Sequence, residues 1–167
     1  MSAVASSPTA GPRPASRSRL QRLLTSSIGL KLVMALTGVI LSFFVLGHMP
    51  GNLQVFQGAE AIDDYGKLLR KEPALLWTAR LGLLAAVGLH IYAYLALSRK
   101  NVSARPEGYR QKKLREASYA SRSMTLAGPL LLAFIIYHIL HMTTGTVHST
   151  FEEGAVYHNL TTGLNGL

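Results

Sequence analysis

The sequence contains no cysteine. Disulfide frameworks, thiolate zinc sites, iron–sulfur clusters held by this chain, cysteine nucleophiles and covalently attached c-type haem are thereby excluded, and any metal must be held by histidine or carboxylate. Charge is scarce as well: 15% of the residues are Asp, Glu, Lys or Arg against 49% apolar, a balance incompatible with a disordered chain. There is no Gly-rich phosphate loop, no HExxH pair and no internal repeat, so the usual seats of soluble-enzyme chemistry are missing. The first residues are rich in Ser, Ala and Pro with scattered Arg and lack the apolar core of a signal peptide, so residues 1–25 read as a disordered, basic cytoplasmic tail.

What the sequence does have is long uncharged runs. Three of them, Leu32 to Met49, Leu81 to Ser98 and Ser123 to Phe151, lie between its charges, and about 20 helical residues suffice to cross a bilayer. The expected fold is all-α: a transmembrane helix bundle with spans at about 28–49, 74–98 and 122–147, inside a helical domain covering 26–167. Pro73 suits the first turn of the second span, and Arg80 can snorkel from it. Buried helices of a soluble bundle would show polar faces at 3.6-residue spacing, and these runs show almost none. A transporter or channel would show broken helices or polar faces on several spans.

Seventeen basic residues against eight acidic ones give a formal charge of +9, and their distribution sets an expected orientation. Residues 1–31 carry five basic groups and no acidic one, and 99–122 carry eight against two, whereas 49–73 carry three against four. The tail after His138 carries Glu152 and Glu153 and no Lys or Arg. Lys and Arg are retained on the cytoplasmic side, which puts the amino terminus inside and the end of this chain outside. The basic loop between Arg99 and Arg122 has few aromatics and flanks two spans, so it reads as topology signal; no nucleic acid is expected.

Of six histidines, His48, His90 and His138 fall inside the runs, where an ionisable group needs a reason. At 1.5 Å per helical residue, His48 stands roughly 25 Å and His138 roughly 24 Å above the cytoplasmic edge of their helices, while His90 stands only about 13 Å up. Two imidazoles at one level on facing helices suit a six-coordinate b-type haem. His90 then belongs to a second site nearer the cytoplasm, whose partner imidazole this chain lacks. Val156 to Leu167 reads as the approach to a fourth helix, cut short. His141 stands too high to serve His90 and is left open between a propionate contact, a quinone contact and simple packing, while His148 and His158 lie beyond the span.

These stretches resemble the di-haem cytochrome b membrane anchor of succinate dehydrogenase and fumarate reductase. The likeness rests on SSIGLKLVMALTGVIL leading into LGHMPGNLQVF around His48, on LLWTARLGLLAAVGLHIYAYLAL around His90, on ARPEGY in the basic loop, and on AGPLLLAFIIYHILHMTTGT around His138. The ten-residue steps from Gly38 to His48 and from Gly128 to His138 are similar to the family's spacing, and the likeness runs from about Ser26 to Gly163.

The resemblance implies a five-helix architecture, of which three spans are present, in a bacterial cytoplasmic membrane. It implies that His48 and His138 ligate the distal haem b and that His90 is one ligand of the proximal haem. Lys31, Arg122 and Ser123 would be propionate contacts or, as readily, topology anchors and helix caps. It implies partners too: a flavoprotein subunit, an iron–sulfur subunit and quinone. The chain would be an enzyme only as a subunit of a succinate:quinone oxidoreductase, with no dicarboxylate chemistry of its own. The alternative is a membrane anchor or assembly subunit without haem. The acidic patch Glu60, Asp63 and Asp64 would exchange protons with an outer quinone pocket or be solvated surface. Tyr92, Tyr94 and Tyr137 adjoin the ligand positions or pack against neighbours.

Overall fold

The computed structural model describes residues 18–104 and 118–165. The first seventeen residues of the expected tail and positions 105–117 of the basic loop, which include nearly all of ARPEGY, lie outside the described residues. Among those described, the chain is all-α, with helices α1 (Arg19–Thr25), α2 (Ser27–Leu53), α3 (Ala59–Arg70), α4 (Pro73–Ser103), α5 (Tyr119–Met142) and α6 (Val156–Asn165), and a short 3-10 turn at Gln54–Gln57. Three of these, α2 with the turn that follows it, α4 and α5, are long and apolar enough to cross a membrane.

Local chemistry sets the helix ends. The expected tail runs to residue 25, but Arg19–Thr25 is helical: Ser18 accepts from the Gln21 backbone N–H at 3.2 Å and Gln21 Oε1 accepts from the Ser18 N–H at 3.0 Å, the reciprocal pair of a capping box. Ser26, extended at ψ 150°, ends α1 and caps α2 by accepting from Gly29 N–H at 3.0 Å. Pro73 opens α4, where its missing N–H costs nothing. The third span was expected to reach 147, but α5 ends at Met142. Gly145 at φ 68° turns the chain into the left-handed region that glycine alone enters freely.

α2 and α4 form the packed pair. Leu30, Val33 and Thr37 on α2 and Ala86, Ala93 and Leu97 on α4 are buried, at the three-, four- and seven-residue steps that put side chains on one helix face. Leu30, Val33, Ala93 and Leu97 make one cluster, with Leu24, Met34 and Ala96 against it. The alanines let the backbones approach closely, as small residues do in membrane helix pairs. α4 also clamps α1: Tyr92 Oη donates to the Leu24 carbonyl at 2.9 Å and Lys100 Nζ donates to the Thr25 carbonyl. Phe43, Leu46, Leu81, Leu84, Leu131 and Phe134 are exposed, as suits faces that meet lipid. No part of the α5 window long and apolar enough to cross a membrane is buried within the chain, and α5 meets α2 near its C-terminal end, where His138 faces His48.

That end carries two short helices beneath the expected outer loop and tail. α3 buries Ile62 and Gly66 and exposes its charges. The Asp64 carboxylate 2.7 Å from Lys67 holds that ammonium above its ordinary pKa; both groups are exposed, so the pair adds little stability. α6 lies on α3, and the Asp63 carboxylate accepts from the Tyr157 N–H at 2.9 Å. Asp63 thereby does across space what an N-cap residue does in sequence. Of the acidic patch, Asp63 holds structure between elements, while Asp64 pairs with Lys67 on the surface of its own helix.

Leu30, fully buried in the cluster, is the position where packing matters most. Leu30→Ala is expected to lower stability by about 2–5 kcal/mol, read as a fall in the thermal unfolding midpoint in detergent, whereas the same truncation at exposed Leu84 leaves it unchanged.

Candidate functional site

The helices sort the histidines into three environments. His48 on α2 and His138 on α5 face one another, with ring centroids 6.0 Å apart and planes crossed at 81°. One turn earlier on each helix a phenylalanine stacks on the imidazole, Phe44 on His48 at 5.0 Å and Phe134 on His138 at 5.7 Å. Neither histidine has a hydrogen-bond partner among the described residues. The two helices thus repeat one pattern, glycine, then phenylalanine six residues on, then histidine four beyond that: Gly38, Phe44, His48 and Gly128, Phe134, His138. The phenylalanines are not singled out by the spacing of the histidines, although the four-residue step that places them one turn away is legible in the sequence.

His90 sits elsewhere, in the stripe of α4 that faces α2. Its Nδ1 is 3.0 Å from Thr37 Oγ1, and a Cβ placed on Gly38 would stand 3.4 Å from its Cε1. It does not join the other pair.

The remaining three histidines belong to the cap formed by the C-terminal end of α5, α6 and the segment between them. His148 is buried, accepts at Nδ1 from the Thr150 N–H at 3.3 Å and meets the Asn159 carbonyl with Nε2 at 2.9 Å. A ring nitrogen that accepts a backbone N–H is unprotonated, so Nε2 carries the hydrogen and donates, and both nitrogens are occupied. His158 reaches the Thr150 carbonyl at 3.0 Å. His141, buried at the end of α5, lies between Tyr137 at 5.2 Å and His148 at 4.7 Å, stacked on both. Asn159 closes the cap by bonding Glu152 through both backbone groups. These three histidines hold the cap together.

The expected propionate contacts have simpler surroundings. Lys31 and Arg122 are exposed, and Ser123 Oγ donates to the Ala120 carbonyl of its own helix at 3.1 Å. Tyr92 is used by α1 and Tyr137 by His141.

A haem group can be tested against the facing pair. Two imidazoles on one metal, each with a metal–nitrogen bond of about 2 Å, have ring centroids roughly 6 Å apart, which the observed 6.0 Å matches. No group of three or more His, Cys, Asp or Glu able to hold a metal ion occurs among the described residues, so a metal seated between His48 and His138 must bring its other donors with it. A porphyrin does that. The surrounding phenylalanine faces are apolar, and the donor set fits the group.

The chain matches no family model, no curated protein and no solved structure.

Gly163 of α6 marks how tightly the cap closes. A Cβ there would stand 2.6 Å from His141 Cε1 and 2.7 Å from His148 Nε2. Gly163→Ala is expected to part the two rings at a cost of about 1–3 kcal/mol, read as a lower melting midpoint and faster proteolysis between residues 143 and 155. Gly47→Ala, with open space around it, serves as the unchanged control.

Proposed function

We propose that this chain is the membrane-anchoring cytochrome b subunit of a succinate dehydrogenase or fumarate reductase, passing electrons between iron–sulfur clusters of a partner subunit and quinone. The observation that carries the reading is the apposition of His48 and His138 from two long apolar helices, with ring centroids at a separation compatible with two imidazoles on one metal. The motifs around His48, His90 and His138 supply the family. Haem b bound at this pair supplies a one-electron carrier inside the low-dielectric part of the membrane.

The chain's own residues do the holding and tuning. His48 and His138 offer two neutral nitrogens, and a bis-imidazole pair with no anion beside it sets the electron affinity of what it holds. Phe44 and Phe134 fix the ring planes by stacking. His90 supports a second site nearer the cytoplasmic face. In this reading the amino terminus is cytoplasmic, in a bacterial inner membrane, and the basic loop between α4 and α5 docks the flavoprotein and iron–sulfur subunits by charge. Succinate or fumarate is handled in those subunits.

Pyridine haemochrome quantification on the purified chain tests the reading, with haem b as the expected result and its absence the result that leaves a bare anchor. His48→Ala and His138→Ala are each expected to abolish the same haem in redox difference spectra. His141→Ala is expected to spare it, because that ring is taken up by the cap.

A further inference from the structure

We propose that Thr37 is a positioning residue that locks His90 into the tautomer with hydrogen on Nδ1, leaving the Nε2 lone pair bare for a metal. Thr37 Oγ1 lies 2.7 Å from the Val33 carbonyl oxygen and 3.2 Å from that of Met34. Two oxygens at 2.7 Å need a hydrogen between them, and a carbonyl has none to give. The single hydroxyl hydrogen of Thr37 is therefore spent inside α2, in the back-bond that helical threonines commonly make.

Toward α4, Thr37 offers only lone pairs. His90 Nδ1 approaches Oγ1 at 3.0 Å, a distance that again requires a hydrogen, and the imidazole is the group left to supply it. A neutral imidazole carries one hydrogen, so Nε2 has none. Nε2 has no hydrogen-bond partner among the described residues. Metal-ligating histidines are held in this way, one nitrogen donating to a fixed acceptor while the other faces the metal. The acceptor here is rigid: Thr37 is 5% exposed, β-branched, and seated in the α2–α4 stripe between Val33 and Gly38. The lone pair at His90 extends the proposed function, since it supplies the ligand that the site nearer the cytoplasm needs, yet the tautomer itself is a property of the protein without haem.

The test is ¹⁵N NMR of the full chain labelled at histidine, in lipid nanodiscs at alkaline pH where the rings are neutral, with His90 assigned by the signals lost in His90→Gln. The wild type is expected to show a protonated Nδ1 and an unprotonated Nε2 at His90. Thr37→Val, which keeps the side-chain shape and removes the acceptor, is expected to move the hydrogen to Nε2, and Thr37→Ser to restore the original pattern. A hydrogen on Nε2 in the wild type, or a His90 pattern unmoved by Thr37→Val, overturns the assignment. The His48 and His138 signals report whether the variants keep the fold. Haem binding by the wild type, measured in parallel, separates the two proposals: its absence removes the function and leaves Thr37 standing, whereas haem binding with the wrong tautomer removes only Thr37.

Discussion

Inside a membrane, a polar group without a partner has no water to turn to, and each one left unpaired costs free energy. That constraint explains most of the polar geometry of this chain. Thr37 returns its hydrogen to its own helix and offers its lone pairs to His90. Thr78 does the former with the Ala74 carbonyl, and Ser123 with that of Ala120. His148 uses both nitrogens. Against that background, the imidazoles of His48 and His138 stand out as rings brought face to edge on apolar helices with no hydrogen-bond partner among the described residues.

Packing follows the same economy. Hydrocarbon gives helices no hydrophobic reason to associate, so close approach and polar pairing must do it. α2 and α4 achieve this with Ala93 and Leu97 against Leu30 and Val33, and with the bond between His90 and Thr37 at one level of the stripe. α5 lacks such a face. It is tied in at its C-terminal end, where His138 meets His48 and His141 stacks on His148. A cofactor held between His48 and His138 would therefore join α5 to the pair as well as carry electrons.

The cap built from α3 and α6 shows why some acidic and imidazole groups in a membrane protein need no functional role. Asp63 caps α6, Asp64 pairs with Lys67, and His158 lies against the Thr150 carbonyl. All of these sit where water and backbone dipoles are near, so their cost is small. The pattern in α3 was legible: Ile62, Tyr65, Gly66 and Leu69 recur at helical steps between charges. A short segment between two spans nevertheless reads first as a connection, and its packing against α6 is visible only in the fold.

The sequence by itself determined the all-α class and the three long apolar helices, because uncharged runs of that length admit few other structures and their helical bonding is local. It also determined the levels of the histidines, since rise per residue is constant along a helix. Which rings meet, and through which atoms, was decided only by tertiary structure. Thr37 lies in sequence fifty-three residues from His90, and nothing local says that the two share a face. The same holds for Asp63 at the start of α6 and for Gly163 beneath His141 and His148. Contacts between distant segments depend on how whole helices rotate and cross, and that is fixed by the sum of their packing.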